Sequence, residues 1–288
     1  ETIRSQWSIQ EDLFRDIEIT LEANPDDVNS SLARSWRQLG INRVSLGVQS
    51  FSDEVLRYLG RRHDAKAATR ACLAIAEVFC NWNIDLIYGA HPIEHWNDSL
   101  IRCKEFQPSH VSTYSLTYEE TTPFASRKHE AVDDEMSLSL YRNAQAILGR
   151  EFFQYEISNF AKEGFQAQHN LIYWRNEEYL GFGPGAYSFI GAVRSRNATL
   201  LPTYLDAPSA VEEAIKLSDR EIKLETLIQH FRLAKGISKA YYTKRFSSDI
   251  TQDFGRKLQN LLERGLLVDV GDSIRPTQKG FELNNEIG

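Results

Sequence analysis

Four apolar runs in the first 120 residues alternate with helix-like segments, and each carries polar residues at or near its end. The runs are IEITLEANP (17–25), RVSLGVQSF (43–51), NIDLIYG (83–89) and HVSTYSL (110–116). They deliver Glu22, Gln49, Asp85, and Tyr114 with Ser115. Between the first two, Val28, Leu32, Trp36 and Leu39 recur at helical spacing. Strand–helix alternation of this kind predicts parallel strands joined by right-handed crossovers. Such sheets gather the C-terminal ends of their strands around one mouth, where ligands bind. The polar strand ends therefore predict part of an active-site rim.

Cap residues place the helices. Asp26 or Asp27 can start one that runs to Leu39, and Gly40 is placed to end it. Ser52 can cap a short helix through Leu59, Asp64 opens a longer one to Phe79, and Ser99 to Phe106 forms another. Four strands make half a barrel and leave the Ile17 run as a raw edge. The expectation is that earlier strands precede Glu1 or that another chain covers that edge.

Beyond the strands, Asp133 to Arg150 reads as a long helix, and residues 151–206 are rich in aromatics and glycine. From Asp219 the order is amphipathic helices, Gly265, a strand (266–270), a turn at Gly271-Asp272, a strand (273–275) and a helix, which suggests a winged-helix-like end. Pro202 and Pro208 fall in the expected linker. The fold class read from this pattern is α/β: a partial parallel (β/α) barrel with an α+β C-terminal region. The expected division is barrel over 1–130, an aromatic-rich linking region packed on it over 131–206, and the winged-helix-like domain over 207–288.

Composition narrows the function. A 42% hydrophobic content can build a substantial core, and no apolar stretch approaches the roughly 20 residues that span a bilayer. The net charge of −7 argues against a nucleic-acid surface. Peripheral membrane contact stays open. The start, Glu1-Thr2-Ile3-Arg4, has no basic region followed by an apolar one, so it reads as no export signal. Cys72, Cys80 and Cys103 fit neither a disulfide framework nor a metal motif; Cys72 and Cys80 lie in an apolar helical pattern and read as reduced core thiols of a cytoplasmic protein.

Glu22 and Asp85 can accept hydrogen bonds from a ligand amine or ribose hydroxyl, and Gln49 can donate and accept at once. Arg61 could neutralise a ligand carboxylate. The alternatives are framework hydrogen bonds, or Glu22 and Asp85 as the acid and base of a barrel hydrolase. His91 and His95 stand four apart, but Pro92 between them argues for a loop rather than a metal-binding helix. Gly181, Gly183 and Gly185 surround Pro184 and read as a tight turn, not a phosphate cradle. His169 in HNLIYW sits beside Asn170, Tyr173 and Trp174. A flat apolar macrocycle with an axial metal could use imidazole and ring faces together; a core histidine is the alternative.

The ordered set LEANP, NRVSLGVQSF, GRRH, NIDLIYG, QYEISNFA and HNLIYW resembles the radical S-adenosylmethionine (SAM) proteins related to oxygen-independent coproporphyrinogen III oxidase. QYEISNFA followed by HNLIYW is similar to the heme chaperone branch of that family. The resemblance implies a partial barrel holding a [4Fe-4S] cluster and SAM at its mouth. Carried over by motif, Glu22, Gln49, Arg61 and Asp85 fall on SAM contacts, and His169 on the position linked to heme. The implied function is heme binding and delivery to heme-accepting proteins. The alternative is oxidation of coproporphyrinogen III in porphyrin biosynthesis. The CxxxCxxC and glycine-rich GGTP segments of the family are missing, so radical chemistry is not expected of the chain as it stands; both segments are expected upstream of Glu1. A second departure is Gly89-Ala90-His91-Pro92, where the family has glycine, an aliphatic residue and proline, followed by a shorter loop to Trp96.

Overall fold

A computed structural model describes residues 17–120, 123–208 and 210–288. The opening residues read for an export signal lie outside the described residues. The packing divides the chain into two compact units, residues 1–154 with 158–166, and residues 155–157 with 167–288.

The first unit is built on a six-stranded sheet. In chain order its elements are β1 (Thr20–Ala23), α1 (Ser30–Gln38), β2 (Arg43–Gln49), α2 (Asp53–Tyr58), α3 (Ala65–Ala76), β3 (Trp82–Tyr88), α4 (Trp96–Glu105), β4 (His110–Ser115), α5 (Asp134–Leu148), β5 (Phe153–Gln154) and β6 (Asn159–Ala161). The strand order is β1-β2-β3-β4-β6-β5. The first four strands are parallel, and β6 adds antiparallel to β4. This is the α/β sheet expected from the alternation, with β1 at one edge among the described residues. The β5 and β6 additions were not anticipated. Each is too short to show a period in sequence.

The sheet has one dry face. Val44, Leu46 and Val48 of β2, Ile84 and Leu86 of β3 and Val111 of β4 are fully buried. They pack with Ala68, Ala71 and Ile75 of α3, Leu100 of α4 and Ala144 and Leu148 of α5. Each fully buried aliphatic side chain is worth roughly 1.5–3 kcal/mol, so this layer is what binds the helices to the sheet.

Several helix starts differ from expectation. Pro25–Asp27 forms a separate 3-10 turn, and α1 begins at Ser30, capped by the Asn29 side chain, which accepts from the Leu32 N–H at 2.9 Å. Proline tightens the first turn and the β-branched Val28 continues extended, so neither Asp26 nor Asp27 caps the helix. Leu39 lies at the helix end, 74% exposed, rather than on the buried stripe. Ser52 occupies the cap position of α2 without a capping hydrogen bond. The starts of α3 and α5 behave as read: Asp64 accepts from Ala67 N–H at 2.7 Å, and Asp133 from Met136 N–H at 2.8 Å. α4 starts three residues earlier than expected, at Trp96, whose indole donates to Leu140 O at 2.9 Å.

The second unit opens with α6 (Gln168–Trp174). A three-stranded antiparallel sheet follows, β7 (Tyr187–Ile190), β8 (Val193–Asn197) and β9 (Val211–Lys216), with α7 (Leu201–Asp206) between β8 and β9. The expected linker around Pro202 and Pro208 therefore contains a helix and leads into a paired strand. Pro202 stands in the first turn of α7, where its missing N–H costs nothing. Then come α8 (Asp219–His230), β10 (Ile237–Ser238), α9 (Lys239–Phe246), α10 (Ile250–Glu263), β11 (Leu267–Asp269), β12 (Ser273–Pro276) and α11 (Gln278–Glu282). Strands β10-β12-β11 pair antiparallel, and Gly265 and Gly271 turn the chain at positive φ. This is the winged-helix order read from the sequence. Its core is Tyr242, Ile237, Ile250, Leu266 and their neighbours.

A polar clasp closes that core. Asp253 Oδ2 accepts from Lys223 Nζ at 2.8 Å, Tyr242 Oη at 2.7 Å and Ser248 Oγ at 2.6 Å. These donors, Lys223 foremost, hold its carboxyl down to about 2. A depressed carboxylate stabilises the fold above its unfolded value, and that contribution is lost as pH falls through the folded one. The thermal stability difference between wild type and Asp253→Asn is therefore expected to be full above about pH 4 and to shrink toward pH 2. A pH-independent difference in melting curves would remove the charge from the explanation.

Candidate functional site

The other face of the parallel sheet is polar, and strand register sets it in rows. Thr20 lies beside Arg43; Glu22, Ser45, Asn83 and His110 follow one another across β1 to β4; Asp85 lies beside Ser112, and Ile87 beside Tyr114. Side chains two apart on a strand share a face, so the residues between the dry-face aliphatics all turn to this side. Asp85 accepts from Asn83 Nδ2 at 2.6 Å on Oδ1 and from Ser45 Oγ at 3.1 Å on Oδ2. Asn83 Nδ2 also donates to Ser45 Oγ at 2.7 Å. Its Oδ1 accepts from His110 Nδ1 at 2.7 Å and Ser112 Oγ at 3.2 Å. Burial holds His110 neutral, with its ordinary pKa pushed well down, and the charge of Arg43 adds to this.

Asp85 keeps its proton to higher pH than an ordinary aspartate. Burial is the main cause, the hydrogen bonds from Ser112, Asn83 and Ser45 oppose it, and the charge of Glu22 adds to it. That coupling brings the two carboxylates into one site. Glu22 is exposed on β1.

Gln49 is held in a strained turn. An irregularity between Leu46 and Gln49 sets two residues of β3 against three of β2. Gln49 takes φ +67°, and Ser50 N–H donates to Val48 O at 2.8 Å, closing a γ-turn around it. A non-glycine residue in that region costs about 1–3 kcal/mol and persists where its surroundings dictate it. The turn lays the Gln49 amide over Gly47: a Cβ on Gly47 would stand 2.9 Å from Gln49 Nε2 and 3.7 Å from Ala23 O. The missing side chain is what lets the amide lie there.

Arg61 reaches its place through the end of α2. Gly60 adopts φ +67° and Arg61 N–H donates to Leu56 O at 2.9 Å. Two residues on, His63 is buried, donates from Nε2 to Val48 O at 3.0 Å and lies 3.7 Å from Asp26. GRRH thus docks against the same backbone that turns at Gln49. The Arg61 side chain is half-buried and forms no ion pair among the described residues. Glu22, Gln49 and Asp85 lie on the neighbouring strands β1, β2 and β3, and the docking of GRRH brings the backbone near Arg61 beside the turn at Gln49. Sequence reading missed Ser45, Asn83, His110, Ser112 and His63. The signal was present: RVSLGVQ, WNIDLIY and HVSTYS alternate polar and apolar, whereas a parallel strand dry on both faces is apolar throughout.

In the second unit, His169 is exposed on α6. Its ring meets Tyr173 edge-on at 4.9 Å, and Tyr173 meets Tyr179 at 4.5 Å. Trp174 lies under the Arg232 guanidinium at 4.5 Å. Arg245 donates to Arg175 O at 2.8 Å and Asn176 O at 2.6 Å, fixing the C-terminal end of α6. The core-histidine alternative fails on the exposure of His169. The glycines near Pro184 make the tight turn expected: Asn197 Nδ2 donates to Gly181 O and Gly183 O, and a Cβ on Gly181 would stand 2.1 Å from Tyr187 O. His91 donates to Glu130 O at 2.7 Å while His95 lies 3.5 Å from Glu54, so the two serve different contacts.

Residues 3–100 match the radical SAM superfamily and residues 217–283 the HemN C-terminal domain. The structure is similar to that of coproporphyrinogen III oxidase from Escherichia coli, a radical SAM enzyme, with a TM-score of 0.80 and 22% identity over 94% of this chain and 69% of that one. The fold is thus of the radical SAM type. Among curated proteins, the chain is 31% identical to the heme chaperone HemW of Bacillus subtilis over 94% of its length and 74% of the relative's. It is 33% identical to that of Haemophilus influenzae (96% and 74%) and 32% to that of Escherichia coli (96% and 75%). The chain belongs to the HemW family of radical SAM proteins.

A radical SAM domain implies SAM and a [4Fe-4S] cluster. Among the described residues no set of side chains fits the cluster. Cys72 and Cys103 are buried in the apolar core, where burial pushes both thiols up; Cys80, expected in the core, is instead exposed, because the helix ends at Ala76 before reaching it. The donor set of the rim does fit a ligand with ribose hydroxyls, an ammonium and a carboxylate: two carboxylates, one amide over a glycine, and a guanidinium. Gly47→Ala is expected to displace the Gln49 amide while barely moving the denaturation midpoint, because the added methyl meets only the end of a flexible side chain. Gln49 side-chain amide resonances that stay in place by NMR would contradict this geometry.

Proposed function

We propose that this protein is a heme chaperone of the radical SAM class: it binds heme, passes it to heme-accepting proteins, and seats SAM on Glu22, Gln49, Arg61 and Asp85. The observation that carries the heme reading is the exposed His169 on α6, edge-on to Tyr173. An exposed imidazole can ligate iron axially, and adjacent aromatic faces suit a macrocycle. Membership of a family whose curated relatives are heme chaperones supports the same reading. Of the SAM contacts, Asp85 and Glu22 are the acceptors for hydroxyl or ammonium, Arg61 is the partner for the carboxylate, and Gln49 serves either polarity. Beside a cluster, SAM would supply reductive cleavage chemistry; the residues of this chain would bind and orient it. The acidic balance disfavours nucleic acid, and three unpaired cysteines suit the cytoplasm. Among the described residues no helix is long and apolar enough to cross a membrane; contact at a membrane surface remains compatible with the proposal.

Heme titration of the chain is expected to give a Soret shift that weakens at least tenfold in affinity in His169→Ala; equal affinity in that variant removes His169 from the proposal. The cluster-loaded holoprotein is expected to release heme to an apo-acceptor without converting coproporphyrinogen III. Formation of protoporphyrinogen by that holoprotein would favour the oxidase reading instead.

A further inference from the structure

Asp85 stands on the inner face of the sheet, and the side chain beneath it on the same strand is Asn83, 1% exposed. Among the described residues Asn83 joins three strands: its Nδ2 meets Asp85 and Ser45, and its Oδ1 meets His110 and Ser112. An ionised carboxylate only accepts, so Asp85 forces the Nδ2 side of the amide toward itself. Oδ1 must then face His110, which fixes the proton of that neutral imidazole on Nδ1. One amide thus sets the direction of the hydrogen bonds that Ser45, His110 and Ser112 make with it. Asp85 takes donors from three side chains, Asn83 on Oδ1, Ser45 on Oδ2, and Ser112 from the neighbouring strand β4. A carboxylate has about four lone-pair sites, so these three donors leave it room to accept from a ligand.

We propose that Asn83 is the positioning residue for Asp85: it orients the carboxylate so that a remaining acceptor site meets the ligand. This rests on the reading that Asp85 contacts SAM. Nothing in the motif comparison assigned a role to Asn83, which touches no ligand in this scheme. The charged and titratable groups facing the pair are Glu22 from β1, which opposes ionisation of Asp85, and Arg43 from β2 and neutral His110 from β4 at the Asn83 end.

Two measurements test the proposal. In the unmutated chain, the Asp85 carboxyl carbon and the Asn83 side-chain amide are followed by NMR against pH; both are expected to titrate with one midpoint, and an Asn83 amide flat across the Asp85 transition overturns the coupling. In the cluster-loaded holoprotein, SAM affinity is measured anaerobically from pH 5 to 9 for Asn83→Ala and the isosteric Asn83→Asp. Loss of a hydrogen bond to a charged group is expected to weaken binding about tenfold at neutral pH. The midpoint of the binding curve is expected to move to higher pH, further for Asn83→Asp, which faces Asp85 with a second carboxylate. Asp85→Asn separates the two readings. Unchanged affinity in Asp85→Asn means the SAM assignment fails. Weak binding in Asp85→Asn with unchanged affinity and midpoint in Asn83→Ala means the assignment stands and the positioning role falls.

Discussion

Polar side chains buried on one face of a parallel sheet are held by hydrogen bonds between strands, and here one amide links three strands. Asn83 bonds to both neighbouring strands and to Asp85. An unpaired buried polar group costs roughly 1–3 kcal/mol, so Ser45, Ser112 and His110 stay on this face because Asn83 answers them. The opposite face of the same strands is aliphatic and sealed by α3, α4 and α5. The dry face supplies the stability that offsets the cost of burying polar groups on the other.

The places where local rules are broken lie at the rim. Gln49 occupies a left-handed turn, Gly47 leaves room for its amide, and Asp85 is a carboxylate kept in a setting that resists its ionisation. Local conflicts that persist in a well-packed sheet are the signature of function. The second unit follows the same pattern differently. Helix α6 presents His169 to solvent while Arg245 and Arg232 fix its other end, so the exposed imidazole stands on a held element.

Much of this was legible from the chain. The four parallel strands, the caps at Asp64 and Asp133 and the winged-helix order follow from periodicity, cap chemistry and glycine placement, all of which act within a few residues. Glu22, Gln49 and Asp85 stood out because a strand end has no structural need for them, and Arg61 because a guanidinium after the next helix suits a ligand carboxylate. The start of α1 was misjudged because a proline turn and an extended valine displaced the cap to Asn29. The strands β5 and β6 were missed because two- and three-residue strands owe their existence to a neighbour, not to their own pattern.

The sequence by itself determined the order of strands and helices, the family and the residues offered at the rim, since these depend on local pattern and motif. Tertiary structure alone decided that Asn83 donates to Asp85 and joins it to the neighbouring strands, that Gln49 folds over Gly47, and that His169 faces solvent rather than a core. Those outcomes depend on register and burial across strands or elements distant in the chain, and no local pattern encodes a distance between them.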